Sequence, residues 1–220
     1  MQIDYPSACN AIETLLVHRH HLESGLWATL ARALISASVR LHCDADSRAC
    51  LERELPAEQV QKFVVPVKEE DYDTEFLDLD LAVRVVDSVE QAVDHINAHG
   101  SGHTDIILCA PLSEQPPAKV AGSACESAAD IFTRSLSSSS VFVNASSRFA
   151  DGFRFGFGTE VGISTGRTHA RGPVGLEGLV TYKYVLRGAG QGPQTAGAFS
   201  SGANARTWAH RPLEQTYPTL

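Results

Sequence analysis

The residue best suited to covalent chemistry is Cys9, in the stretch Pro6-Ser7-Ala8-Cys9-Asn10-Ala11-Ile12-Glu13. A helix-breaking proline and small residues precede the thiol, and good helix formers follow it. This order predicts Cys9 at or just before a helix N-terminus, where free N–H groups and the helix dipole favour the thiolate. The small neighbours leave room for a substrate carbonyl. On spacing alone, a buried structural cysteine accounts for the residue better, and both readings stand at this point. Cys43, Cys50, Cys109 and Cys125 read as structural. An odd, scattered set of five thiols is no disulfide framework.

Other motifs carry less. Gly156-Phe157-Gly158-Thr159-Glu160-Val161-Gly162 has the spacing G-x-G-x-x-x-G and no strand leading into it, so it fails as a dinucleotide fingerprint and reads as a loop. His95 and His99 lie one helical turn apart, but no third ligand is placed to complete a site, and no metal is expected there. His18, His20 and His21 are no better placed. The sequon Asn144-Ala145-Ser146 means little without a secretory segment. There is no G-x-S-x-G elbow and no P-loop.

The 220 residues, 43% apolar and 20% charged, suffice to bury a core. No apolar run reaches the roughly 20 residues of a membrane helix. The start, Met1 to Pro6, has neither a basic nor an apolar stretch, so a soluble cytoplasmic chain is expected. The net charge is −8, and it is unevenly spread: residues 44–80 hold twelve Asp or Glu against four Lys or Arg, whereas residues 140–211 hold eight basic and three acidic residues. The overall charge argues against a nucleic-acid partner. A basic stretch within an acidic protein suggests a site for a small anion, and surface arginines on a solvated face are the plainer alternative.

Hydrophobic spacing predicts strands at 14–18, 39–43, 62–67, 79–86, 104–109 and 141–143. Helices are predicted from His20 to Ser38, from Asp46 to Leu55 with Pro56 as its stop, and from a Ser88 cap to His99 with Gly100 as its stop. Residues 111–140 read as irregular apart from an Ala-rich helical stretch. Strands alternating with helices give an α/β class, layered, with a largely parallel sheet and flanking helices. Thirteen of the seventeen glycines lie between Gly152 and Gly202. Residues 152–175 read as one long ordered loop of the kind that is usually functional. Thr181 to Arg187 reads as a lone late strand, and the rest as a mobile tail.

Tyr5 to His18 resembles the nucleophile segment of the γ-glutamyl phosphate reductase family, also called glutamate-5-semialdehyde dehydrogenase, of proline biosynthesis. Val143-Asn144-Ala145-Ser146-Ser147-Arg148-Phe149-Ala150-Asp151-Gly152 resembles a second signature, which runs on through Phe155 to Thr165 and His169 to Leu179. Glu69 to Phe76 and His103-Thr104-Asp105 also match. The resemblance covers about residues 3–191, departs at 111–140 and is loose over 192–220.

What the resemblance implies is an aldehyde dehydrogenase-like catalytic domain over residues 1–175, an oligomerisation arm over 176–191 and a tail over 192–220, in a homo-oligomer. The family's N-terminal nucleotide-binding half has no counterpart in this sequence. The implied reaction is NADPH-dependent reduction of L-glutamyl 5-phosphate to the semialdehyde and phosphate, with Cys9 forming a thioester. By the same resemblance Glu75 would hold the nicotinamide ribose of NADPH or NADP. Asn144, Arg148 and Arg171 would hold the substrate, with Arg154 and Arg167 as further candidates. A rival reading is a truncated, non-catalytic fragment that still associates. A cysteine hydrolase is disfavoured because no histidine is placed as a base partner. Without a phosphate cradle of its own, the chain alone is expected to lack reductase turnover.

Overall fold

The computed structural model describes residues 3–110, 127–162, 172, 174–185 and 187. The chain divides into two units, Met1–Val180 and Thr181–Leu220, and the regular elements among the described residues lie in the first. Strands β1 (Thr14–His18), β2 (Arg40–Cys43), β3 (Val64–Pro66) and β4 (Asp80–Val86) form a parallel sheet in the order β1-β4-β2-β3. β4 is an inner strand, and Leu81, Ala82, Val83, Val85 and Val86 along it are all buried. An apolar run of this kind, interrupted by Arg84, is what a parallel strand covered on both faces requires.

Helices α1 (His20–Glu23) and α2 (Leu26–Ser36) connect β1 to β2, and α3 (Ala45–Glu54) and α4 (Ala57–Phe63) connect β2 to β3. α2 turns Trp27, Ala28, Ala31 and Ile35 inward, where they meet Cys50 and Leu51 of α3 in the main core. The one polar atom of Trp27 is satisfied inside this core, its indole N–H donating to the Ser47 carbonyl at 3.0 Å. A smaller core joins α5 (Val89–His99) and α6 (Ala128–Ser135) over a second parallel pair, β5 (Thr104–Ile107) and β6 (Ser140–Val143). Val93, Phe132 and Leu136 are its buried centre.

The α/β class and the parallel sheet follow the sequence pattern, and Ser88 caps α5 as read, its hydroxyl accepting from the Gln91 N–H at 3.3 Å. Three local readings differ. The helix expected over 20–38 is two helices, because Gly25 adopts φ +76° and breaks the ladder. The stretch read as strand from Lys62 begins inside α4, with Pro56 starting that helix rather than only ending the previous one. Residues 181–185 are not in a strand; a strand standing alone has no ladder partner to hold it. The tail from 188 lies outside the described residues. Among the described residues no helix is long and apolar enough to cross a membrane.

Asp44 joins the start of α3 to the carboxyl end of β4. One carboxylate oxygen accepts from the Ser47 N–H at 2.9 Å, capping α3, and the other accepts from the Val85 N–H at 2.7 Å. We expect Asp44→Ala to lower the unfolding free energy by about 2–4 kcal/mol, from the lost cap and an orphaned strand donor together. Asp44→Asn, with one acceptor oxygen left, should lose about half of that. Urea denaturation measures both, and an alanine variant within 0.5 kcal/mol of the parent (an ordinary surface effect of about that size) would show that Asp44 joins nothing.

Candidate functional site

Cys9 does not start a helix. It sits in a tight turn, with the Ala8 N–H bonded to the Tyr5 carbonyl at 3.2 Å and the Ala11 N–H to the Ala8 carbonyl at 2.8 Å. The stretch from Asn10 to Glu13 is about one helical turn, too short to repay helix nucleation. The Glu13 carbonyl is already bonded to the Ala82 N–H at 2.9 Å, which draws the chain into β1. The expected dipole activation of the thiol is therefore absent.

What fixes the turn instead is Asn10, a buried amide 3% exposed. Its Nδ2 donates to the Ala150 carbonyl at 2.8 Å, and its own carbonyl accepts the Ser147 hydroxyl at 2.6 Å. Its Oδ1 accepts from the Arg148 guanidinium. The same guanidinium reaches Asp4 at 3.1 Å and lies over the Tyr5 ring at 5.9 Å. Arg148 thus clamps the Cys9 turn in this structure.

This clamp places the thiol against the start of the glycine-rich loop. Cys9 Sγ is 3.5 Å from Glu160 Oε1, and His103 Nε2 is 3.7 Å from the same oxygen. The Sγ, Nε2 and Oε1 atoms all lie within 4.8 Å of one another. The other oxygen of Glu160 accepts the Gly152 N–H at 3.0 Å. A Cβ on Gly152 would sit 2.1 Å from the Thr159 carbonyl, so only glycine permits this approach. The Nδ1 of His103 is 2.7 Å from the Thr104 hydroxyl, leaving Nε2 turned toward Glu160.

The electrostatics run against ionisation of the thiol. Partial burial, and next the Glu160 carboxylate, push Cys9 up to about 11. Roughly one thiol in ten thousand is then ionised at pH 7. Burial holds His103 below its ordinary value, partly offset by Glu160. Burial, and then Glu75, push the Glu13 carboxyl up to about 7. The charge of Glu75, an exposed carboxylate, also bears on Cys9 and His103, as the smallest of the influences on each.

The remaining sequence-derived residues are placed differently. Asn144 closes the β5–β6 pair at φ +54°, its Oδ1 accepting from the Cys109 N–H at 2.9 Å. Arg154 pairs with Asp151 at 3.3 Å. Arg167, Arg171 and Cys125 lie outside the described residues. His95 accepts from Arg84 at 3.3 Å, and a cation so close opposes any metal ion there. Cys43 and Cys50 are buried core thiols, Cys43 pushed up to about 12 by burial. The sequence reading missed His103 and Glu160 as site residues. Both fall inside the family-like motifs quoted above, and Glu160 is a lone carboxylate between the glycines of a basic stretch, which was the available signal.

No family model matches the chain. It is 46% identical over 210 residues to a Schizosaccharomyces pombe protein named "Probable gamma-glutamyl phosphate reductase", covering 96% of this chain and 42% of that one. It is 43% identical over 216 residues to the Methanosarcina barkeri gamma-glutamyl phosphate reductase, covering 97% and 42% respectively. The crystal structure of gamma-glutamyl phosphate reductase from Thermotoga maritima matches with a TM-score of 0.65 at 36% identity, over 88% of this chain and 41% of that chain. The chain thus spans well under half the length of the curated relatives it matches.

The geometry fixes an order of thiol reactivity. Cys9 is exposed while Cys43 and Cys50 are buried, so Cys9 should be alkylated ahead of both, with a rate that climbs with pH toward about 11. Glu160 raises the thiol, so Glu160→Gln removes a negative charge, lowers the Cys9 value and speeds alkylation at pH 8. Iodoacetamide labelling with site mapping by mass spectrometry reads both effects. Labelling of Cys43 before Cys9, or slower labelling in the glutamine variant, would contradict the site as described.

Proposed function

The chain is homologous over 96% of its residues to part of the γ-glutamyl phosphate reductases, and from that premise we propose that it carries the thiol chemistry of an acyl-phosphate reductase. The reaction is reduction of L-glutamyl 5-phosphate to L-glutamate 5-semialdehyde and phosphate, a step of proline biosynthesis. The observation that supports this most directly is the exposed Cys9 thiol held against Glu160 and His103 by the Asn10 clamp.

In this reading Cys9 Sγ attacks the acyl carbon, its proton passing to Glu160 Oε1, and the C–O bond to phosphate breaks. A thioester on Cys9 results, while Glu160 is neutral and His103 holds its place beside it. The carboxylate near Sγ can return the same proton when the C–S bond breaks and the aldehyde leaves. Phosphate departs without water, so no hydrolytic base is needed. Backbone N–H groups of the turn are the candidates to hold the oxyanion.

Glu75 is the residue that fits a nicotinamide cofactor, NADPH by the family. It is an exposed, acceptor-only carboxylate close enough to influence the thiol, which suits a pair of ribose hydroxyls. Bound there, the nicotinamide supplies the hydride that a thioester accepts. The strand-to-helix turns after β2 and β4 hold no glycine, and their helix starts are capped by the chain's own Asp44 and Ser88. Arg171 and Asn144 remain the candidates for the substrate's anionic groups, and Arg148 is a positioning residue.

A second reading, an association module without turnover, draws on one observation. Phe153, Phe155, Phe157, Leu176 and Leu179 are exposed, Phe153 at 76%. Apolar surface of this kind marks contacts with further polypeptide.

The half-reaction separates the two and needs no cofactor. Incubated with an acyl phosphate such as glutaryl phosphate, the chain should release phosphate and gain one acyl group on Cys9, seen by mass spectrometry. Cys9→Ser should lose at least about a hundredfold of this rate, a hydroxyl being a weak nucleophile at its free pKa. A folded chain that forms no acyl adduct but sediments as an oligomer would favour the association module.

A further inference from the structure

The thiol, imidazole and carboxylate that converge at Cys9 are also a metal donor set. We propose that Cys9 Sγ, His103 Nε2 and Glu160 Oε1 bind a thiophilic divalent cation, Zn²⁺ in particular, in an open site that holds the thiol out of reaction.

Distance is the first argument. A four-coordinate zinc with bonds of about 2.0–2.3 Å keeps neighbouring ligand atoms roughly 3.3–3.6 Å apart. Sγ and Nε2 already stand 3.5 and 3.7 Å from Oε1, and all three atoms fall within 4.8 Å. Small side-chain rotations bring them onto one ion. Because Cys9 is exposed, a fourth position stays open to solvent.

The outer partners are the second argument. Metal-bound histidine commonly commits its other ring nitrogen to a hydrogen bond, and ligating carboxylates are themselves hydrogen-bonded. Here the Thr104 hydroxyl lies 2.7 Å from His103 Nδ1, and the Gly152 N–H donates to Glu160 Oε2 at 3.0 Å. Both contacts leave the two free donor atoms facing the thiol.

Charge and softness select the ion. A thiolate and a carboxylate together balance two positive charges, so the loaded site is neutral. One sulfur, one nitrogen and one oxygen suit zinc, whereas magnesium and calcium prefer all-oxygen shells. As the ion binds, the S–H bond breaks, its proton goes to solvent and an S–metal bond forms, with nothing oxidised or reduced. The functional consequence rests on the thioester reading: a sulfur pair donated to a metal cannot attack an acyl carbon, so occupancy inhibits and a chelator restores.

The test uses the whole chain, stripped with a chelator and titrated with Co²⁺ as the probe. A thiolate-to-cobalt charge-transfer band and four-coordinate d–d bands should appear at one ion per chain and vanish as Zn²⁺ displaces cobalt. Cys9→Ser should lose the charge-transfer band. His103→Phe and Glu160→Gln should each weaken binding by at least about tenfold, with circular dichroism confirming the fold. For the parent chain alone, one equivalent of Zn²⁺ should protect Cys9 from alkylation, which keeps the question open to decision even if a variant misfolds. No band and no protection in the folded parent overturns the site, as does unchanged affinity in both the His103 and Glu160 variants. These readouts involve no acyl phosphate, so they fail independently of the reductase reading. Tight binding that leaves acyl transfer untouched would instead sink the thioester step.

Discussion

The site depends on one buried side-chain amide. Asn10 is next to Cys9 in sequence, and its Nδ2, Oδ1 and backbone carbonyl all bond to the turn around Ser147, Arg148 and Ala150. Burying such a group without partners costs on the order of 1–3 kcal/mol. The two segments are therefore held together by the penalty of separating them as much as by the bonds. Once Asn10 is seated, Cys9 has little freedom, and the loop that follows Ala150 starts within reach of the thiol. Gly152 and Glu160 then complete the approach from the other side.

The charge pattern around the thiol inverts the simplest idea of an activated cysteine. Among the described residues no helix dipole and no cation acts on Cys9; the charged groups acting on it are carboxylates, Glu160 first and Glu75 last. Such a thiol rests in the neutral form and does not react indiscriminately. Its reactivity is conditional on a group that takes the proton or offsets the negative charge. That condition links the proposed proton-accepting role of Glu160, the anion-binding arginines sought in the loop, and the proposed affinity of the same atoms for a soft cation.

Much of the frame was legible in the sequence. Apolar runs gave the strands of the main sheet, and the Ser88 cap gave the start of α5. The Gly25 break and the start of α4 were not, because a single φ > 0 residue and a proline that opens a helix look the same in a hydrophobic pattern as an uninterrupted element. The helix expected at Cys9 failed for a tertiary reason, since pairing with β4 outweighs the propensity of four residues. His103 and Glu160 escaped notice because their partnership spans segments that only the folded layers bring together. Of the arginines, Arg148 illustrates a limit of type-based reading: a guanidinium suits an anion, but it suits a buried amide and an aromatic face equally well.

The location of the site relative to the main sheet has its own logic. In open parallel sheets ligands usually gather beyond the carboxyl ends of the strands. A cavity of about 700 Å³ does lie there, lined by Cys43, Pro66, Val67 and Val85 where β2, β3 and β4 end. Three of its four cations are engaged, Arg19 with Asp46 and Asp87, Arg48 with Glu52, and Arg84 with the His95 ring, and Lys68 is the fourth. The arginines, matched within the chain, have little left to offer an incoming anion. Cys9 instead precedes β1 at the amino end of the sheet, where the strand order supplies no ligand site of its own. The functional atoms there come from a turn, the residue before β5, and a glycine-rich loop. The sheet acts as a fixed base for these pieces, and the long-range polar bonds of Asn10 do the aligning that strand topology does elsewhere.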